Sequence, residues 1–107
     1  MADLIEFGSA VYMEFWVSLA SLLRSYTAAH GLNGNLQALV ELGEETILVR
    51  HGSDWLELRR TGRHVAWHRS GGASGVLEFT EAGRLRSDTG EEEMDMMAEA
   101  WARELMQ

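Results

Sequence analysis

The 107-residue sequence contains no cysteine, no proline and no lysine, so all nine of its basic residues are arginines. The lack of cysteine excludes disulfide bonds, thiolate catalysis and cysteine metal sites, and it fits a reducing compartment. The lack of lysine removes the residue that completes a phosphate-binding P-loop. We therefore expect a cytoplasmic protein whose single domain, residues 1–107, is held by one hydrophobic core.

Long hydrophobic runs are also missing. The first seven residues carry two acids and no base, unlike the basic start of a signal peptide. The apolar stretch that follows is interrupted by Glu14 and Arg24 and is too short to span a bilayer. These features predict no membrane association.

The net charge of −8 is unevenly distributed. Residues 1–49 carry −5, residues 50–86 carry +3 and residues 87–107 carry −6. Overall acidity disfavours nucleic acids and anionic membranes, because phosphate binding needs a positive surface. A partner protein is the easier inference.

Two helices are predicted at the ends of the chain. The first spans about residues 9–29, with Ser9 as a candidate N-cap, or Asp3 if the helix starts earlier. Its wide apolar stripe predicts either a broad core-facing helix or self-association as a homodimer. The second spans residues 90–106, where Thr89 and Glu92 have the spacing of a capping box. The stripe of the first helix contains Tyr12, Phe15, Trp16, Leu19, Leu22, Leu23 and Tyr26, and that of the second contains Met94, Met97, Ala98, Trp101 and Leu105.

Six short strands are predicted between the helices, because apolar and polar residues alternate between turn residues. A glycine-rich loop, residues 70–75, separates the fourth strand from the fifth. The predicted strands are 36–42, 46–51, a third that ends at Arg60, 63–69, 76–80 and 84–87.

The segment Trp55–His68 reads as a β-hairpin with a two-residue turn at Thr61-Gly62. This register pairs two apolar couples on one face. On the other face it produces polar couples and one tryptophan. The apolar couples are Leu58 with Val65 and Leu56 with Trp67, and the others are Trp55 with His68, Glu57 with Ala66 and Arg59 with His64.

The predicted fold class is α+β. A helix, a six-stranded antiparallel meander and a second helix form a two-layer sandwich, with both helices on one face of the sheet and the other face open.

Catalytic and metal sites are not expected. His64 and His68 lie four positions apart on the same face of one strand, with Ala66 between them, and this spacing holds them too far apart to share an ion. The acids of residues 91–95 radiate around a helix start instead of converging as a cation cage does. Ser53 and Asp54 could meet a histidine from a neighbouring strand, as nucleophilic catalysis requires, but nothing in the sequence fixes an oxyanion hole beside them. We therefore predict a non-enzymatic protein with no cofactor, no metal ligands and no catalytic residues.

The open sheet face is the candidate binding site. A tryptophan flanked by arginine, histidine and leucine is typical of an interaction hot spot, although a solvated face with stacked side chains explains the same pattern. The predicted site residues are Trp55, Arg50, His68, Leu48, Leu39, Arg59 and His64.

The layout of helix, meander and helix, with a tryptophan on the exposed face, resembles the frataxins. So does the segment His64-Val65-Ala66-Trp67-His68-Arg69-Ser70-Gly71-Gly72. This resemblance implies metal handling, and it transfers no site residue to this chain. Type III secretion chaperones and toxin-immunity proteins are similar in size, acidity and α+β character.

The primary hypothesis is therefore an acidic adaptor of chaperone or immunity type that binds a protein through the open sheet face. The alternatives are a frataxin-like metal-handling protein, and binding of a small ligand or RNA on the same face, with nucleic acid disfavoured by the overall charge.

Overall fold

The computed structural model describes residues 2–32 and 37–107, with side chains from residue 10 onward. It has two helices and one seven-stranded antiparallel sheet, which confirms the α+β class. The strands follow one another across the sheet in chain order. The elements are α1 (Ala2–His30), β1 (Leu39–Leu42), β2 (Thr46–His51), β3 (Asp54–Thr61), β4 (His64–Arg69), β5 (Ser74–Phe79), β6 (Leu85–Ser87), β7 (Gly90–Glu92) and α2 (Met94–Leu105).

Alternate strand residues are buried, because successive side chains in a strand point to opposite faces. We call the face with the buried residues the inner face and the opposite one the outer face. The buried residues of both helices belong to the same cluster as those of the inner face. This cluster contains Ile47, Val49, Leu56, Leu58, Val65, Leu77, Phe79 and Leu85 from the sheet, Trp16, Leu19, Ala20 and Leu23 from α1, and Ala98, Trp101 and Leu105 from α2.

Trp16 connects α1 to the sheet. Its ring is fully buried, and its indole N–H donates to the carbonyl oxygen of Gly43 in the β1–β2 turn at 2.9 Å. Arg60 continues the inner face at the end of β3, and its guanidinium lies 5.9 Å from the centre of the Trp16 ring. It also donates to the backbone carbonyls of Glu44 and Gly62. A cation can therefore end an apolar face because backbone oxygens and an aromatic ring replace its water.

Polar contacts join the two helices at the edge of the core. The Tyr26 hydroxyl donates to Asp95 at 2.5 Å, and His30 lies 2.7 Å from Glu99. The hydrogen bond to the Asp95 carboxylate raises the pKa of Tyr26 above its ordinary value. Arg103 also pairs with Glu99, so α1 and α2 are connected outside their apolar contact.

The register of the β3–β4 hairpin differs from the predicted one by two residues. Leu58 lies opposite Trp67, not Val65, and the central turn residues are Gly62 and Arg63. Gly62 adopts a φ of 61°, in the left-handed region, whereas Thr61 pairs with His64 inside the ladder. Glycine tolerates this conformation and threonine does not. Because a shift of two keeps every side chain on its face, the prediction of the two faces was right.

The second helix begins later than predicted, and a seventh strand is formed by the residues that were predicted to be its first turn. Residues Gly90–Glu92 pair with β6, and α2 starts at Met94 after Glu93, which forms no side-chain capping bond. The predicted capping box of Thr89 and Glu92 is therefore wrong. Arg84 pairs with Glu91 at 3.6 Å and Glu93 at 2.6 Å, so an arginine beside the sheet edge, as well as the helix dipole, compensates the acidic run.

The ends of two other elements were also misplaced. Helix α1 begins at Ala2, earlier than residue 9, so Ser9 and the alternative Asp3 both lie inside it and neither is its N-cap. Strand β1 begins at Leu39, three residues later than predicted. The predicted strand start at Leu36 and the predicted loop 33–35 lie outside the described residues.

The predicted 70–75 loop ends early, because β5 already begins at Ser74 and pairs Gly75 with Trp67. Trp67 packs against the core with its ring centre 6.0 Å from that of Trp101. A Cβ atom on Gly75 would lie 2.6 Å from the Trp67 indole nitrogen. The glycine therefore makes room for an inward tryptophan.

We expect Gly75→Ala to destabilise the fold by about 1–3 kcal/mol, because the bulky ring of Trp67 must move away from a close contact. Urea unfolding monitored by circular dichroism measures the change. Val76→Ala is the control, since Val76 follows in the same strand and is 66% exposed. Equal stability of the Gly75→Ala variant and the wild type would contradict the assigned contact.

Candidate functional site

The outer face brings four of the seven predicted site residues together. Trp55, Arg50, His68 and Leu48 line a shallow concavity of about 380 Å³ above β2, β3 and β4. We call it the Trp55 concavity. Its remaining lining residues are Gly52, Ser53, Asp54 and Glu57.

The antiparallel ladder places these side chains. Arg50 lies directly opposite Trp55, as predicted. His68 lies opposite Glu57, not opposite Trp55 as predicted, because the β3–β4 register differs by two residues. The rings of His68 and Trp55 still meet diagonally, edge to face, with their centres 5.1 Å apart. The predicted contact between Trp55 and His68 is therefore present, but the two residues are diagonal neighbours and not directly opposite each other.

The backbone of Trp55 is held by Ser70, the first residue after β4. The Trp55 amide donates to the Ser70 hydroxyl oxygen at 3.0 Å, and the Ser70 amide donates to the Trp55 carbonyl oxygen at 3.0 Å. The Ser70 hydroxyl also lies 3.3 Å from a carboxylate oxygen of Asp54. Sequence reasoning missed Ser70, because a serine at the start of a glycine-rich loop shows no signal of this long-range role.

The other three predicted residues lie outside the concavity. Arg59 is opposite Ala66, not opposite His64 as predicted. His64 lies at the far end of the face, beside Glu78. Leu39 is opposite Arg50 on the edge strand β1 and is 57% exposed. The predicted site is therefore one compact group of four residues with three outlying members.

Charges around the concavity are largely compensated. Glu57 lies 3.3 Å from His68 and 3.7 Å from Arg59. Arg50 has one acidic neighbour, Glu41, at 3.9 Å, and its side chain is 58% exposed. The excess positive charge of residues 50–86 thus does not produce a uniformly basic outer face, and Arg50 is the arginine that lines the concavity.

A second charged group on the outer face was missed from the sequence. The Glu78 carboxylate accepts a hydrogen bond from Arg86 in an ion pair. It also lies 3.4 Å from Arg63 and 3.3 Å from His64. The hydrogen bond from Arg86 lowers the pKa of Glu78 below its ordinary value. The group depends on the register of three neighbouring strands, β4 to β6, which sequence spacing leaves open.

The described residues do not bring metal ligands together. No three His, Cys, Asp or Glu side chains in the described part of the chain are grouped so that they could hold an ion. His64 and His68 contact different carboxylates, Glu78 and Glu57. Within residues 2–32 and 37–107, no helix is long and apolar enough to cross a membrane.

The comparisons with known proteins produced no match to a family model, to a curated protein or to a solved structure.

We expect Glu78→Gln to lower stability near pH 7, because Arg63 and Arg86 lose the anion that they share. Folding lowers the pKa of Glu78, so the ionised carboxylate stabilises the fold at pH values above its ordinary pKa of 4.5. That stabilisation is lost as the pH falls through the lower pKa of the folded state.

Urea midpoints of the wild type and Glu78→Gln should therefore differ at pH 7 and converge as the pH falls through the lowered pKa of Glu78. Glu81→Gln is the control, because Glu81 is exposed and forms no ion pair among the described residues. A difference between wild type and Glu78→Gln that stays constant across this range would contradict the ion-pair explanation.

Proposed function

We propose that the protein is a cytoplasmic, non-enzymatic adaptor of chaperone or immunity type that binds a partner protein through the outer face of its sheet. The observation that carries the proposal is the Trp55 concavity. It combines an anchored aromatic ring, one available guanidinium and an open rim.

The proposal includes a layout in which both helices cover the inner face and leave the outer face open. It is supported by the core, where the buried residues of α1 and α2 cluster with inner-face residues. It is also supported by apolar exposure on the outer face, since Leu39 is 57% and Val76 66% exposed. Apolar side chains at these positions contribute little to the fold and are available to a partner.

The composition of the concavity favours a partner side chain of mixed character. The Trp55 ring and Leu48 offer apolar contact area, and Arg50 offers a planar guanidinium that suits a carboxylate. Because Ser70 fixes the Trp55 backbone on both its amide and its carbonyl, binding costs little ordering of this residue. A partner segment with an apolar residue next to an acidic one fits this surface.

A small anionic ligand is the second candidate, because about 380 Å³ falls within the usual volume of ligand pockets. The RNA alternative receives less support, since Glu41 and Glu57 neutralise part of the positive charge that phosphates need. The frataxin-like alternative receives no support from a grouping of metal ligands among the described residues.

We expect Trp55→Ala to weaken partner binding by about 2 kcal/mol, or roughly 30-fold in Kd, because it removes the aromatic anchor. The partner is first identified by photo-crosslinking from position 48, inside the concavity, and its affinity is then measured by calorimetry with purified proteins.

His64→Ala is the matched control, because it removes a ring from the same sheet face but outside the concavity. It should leave the affinity within about twofold of wild type. An unchanged affinity for Trp55→Ala, with the fold intact by circular dichroism, would exclude this surface. Binding of only small anions would select the second candidate.

A further inference from the structure

The two edges of the sheet differ in their side chains. Strand β7 forms one edge, and two of its three residues, Gly90–Glu92, are glutamates, whose charges oppose pairing with another strand. Strand β1 forms the other edge and carries three apolar residues and one acid over Leu39–Leu42. Of the two edges in the described sheet, β1 is therefore the one suited to accept a further strand.

The backbone of β1 can form hydrogen bonds on the side that faces away from β2. In the turn after β1, the Gly43 amide donates to the Thr46 carbonyl oxygen at 2.8 Å, so the Gly43 amide points toward β2. Backbone direction alternates along an antiparallel strand, so the amides and carbonyls of Val40 and Leu42 point away from β2. The described sheet has no strand on that side.

A groove of about 570 Å³ lies beside this edge, between β1 and the C-terminal part of α1. The small side chains of Ala28 and Ala38 are part of its lining, and Leu32, another lining residue, is 82% exposed. Val40 also lines the groove, and it lies on the inner face opposite the buried Val49. The residue opposite Val40 in an added strand would point to the same side of the sheet, toward the groove.

Arg24 is the one charged residue among the described residues that line this groove. It forms no ion pair within the described part of the chain. The Thr27 hydroxyl, also in the lining, already donates to the backbone carbonyls of Leu23 and Arg24, at 2.7 and 3.2 Å. The groove therefore suits an acidic side chain that lies next to apolar ones.

We propose that β1 accepts an extended segment of a partner protein as an additional strand of the sheet. Two successive inward-facing residues of this segment, one apolar and one acidic, enter the groove, and the acid pairs with Arg24. The backbone of the segment pairs with Val40 and Leu42. This site lies on the edge and inner side of the sheet, so it does not depend on the proposed function of the Trp55 concavity.

A second copy of the chain is a poorer occupant than an acidic segment. Its own β1 would bring Val40 and Leu42 to the inner face, and neither supplies an anion for Arg24. With a two-fold axis at Glu41, the two Glu41 side chains would also stand opposite each other, which is destabilising. Two chains of net charge −8 repel each other as well.

The probe is a displayed library of random peptides of about twelve residues. It is selected on the Trp55→Ala variant, so that the Trp55 concavity lacks its aromatic ring. Enriched peptides should carry an apolar residue and an aspartate or glutamate two positions apart. On the wild type they should slow amide hydrogen exchange at Val40 and Leu42, because strand pairing protects both groups. A selection without binders, or binders that leave both exchange rates unchanged, would overturn the proposal.

Arg24→Glu tests the charge of the groove. An enriched acidic peptide should bind this variant at least about tenfold more weakly than the wild type, and the same peptide with lysine at the acidic position should prefer the variant. The peptide with asparagine at that position is the control and should bind both proteins within about twofold. An acidic peptide with equal affinity for both proteins would show that Arg24 does not hold the acid.

Val40→Pro tests the backbone pairing, because proline lacks the amide that points to the free side and leaves the bonds to β2 in place. Binding of the peptide should weaken at least about tenfold. Val40→Ala keeps the amide and should stay within about threefold of wild type. Equal binding by the two variants, both folded by circular dichroism, would exclude strand addition. Self-association in sedimentation that Val40→Pro abolishes would assign the edge to a second copy and contradict the proposal.

Discussion

The structure depends on the two-residue alternation of its meander. Because every strand neighbours the strand next to it in sequence, each hairpin carries the same apolar face forward across the sheet. That face cannot remain in water, and the residues buried by α1 and α2 join it in one cluster. Trp16 adds a directional contact to this burial, since its hydrogen bond to the Gly43 carbonyl ties the helix to one particular turn.

The same alternation produces the outer face. Each inward leucine or valine is flanked by residues that must point the other way, so the core pattern decides where Arg50 and Trp55 stand. The ladder then brings His68 within diagonal reach of the Trp55 ring. Ser70 locks the tryptophan backbone from the following loop. The proposed binding surface therefore arises from the ladder itself and needs no additional element.

Sequence reasoning identified the faces more reliably than the contacts. The inward Trp67 and the outward Trp55 follow from alternation alone, and both are found where predicted. The exact pairing does not follow from alternation, because a shift of two residues leaves the pattern of faces unchanged. The preference of Gly62 for positive φ was the local signal that could have placed the turn correctly.

Features that arise from tertiary contacts were missed for a different reason. Glu91 and Glu92 have the composition of a helix start, yet pairing with β6 makes them strand residues. Glu78 appears in the sequence as an ordinary surface acid, and only the packing of β4 and β6 around it brings Arg63, His64 and Arg86 to its carboxylate. Local patterns indicate which elements form, whereas long-range pairing decides where they begin and what their side chains touch.

We propose that partners bind at Trp55 and that the other three tryptophans serve the fold. The most direct measurement follows the four indole N–H signals by NMR while a purified partner is added to ¹⁵N-labelled protein. Trp16 and Trp101 are buried, and Trp67 packs against Trp101. The Trp55 signal is expected to shift or broaden first and most strongly. A partner that perturbs the signals of Trp16, Trp67 or Trp101 and leaves that of Trp55 unchanged would contradict it.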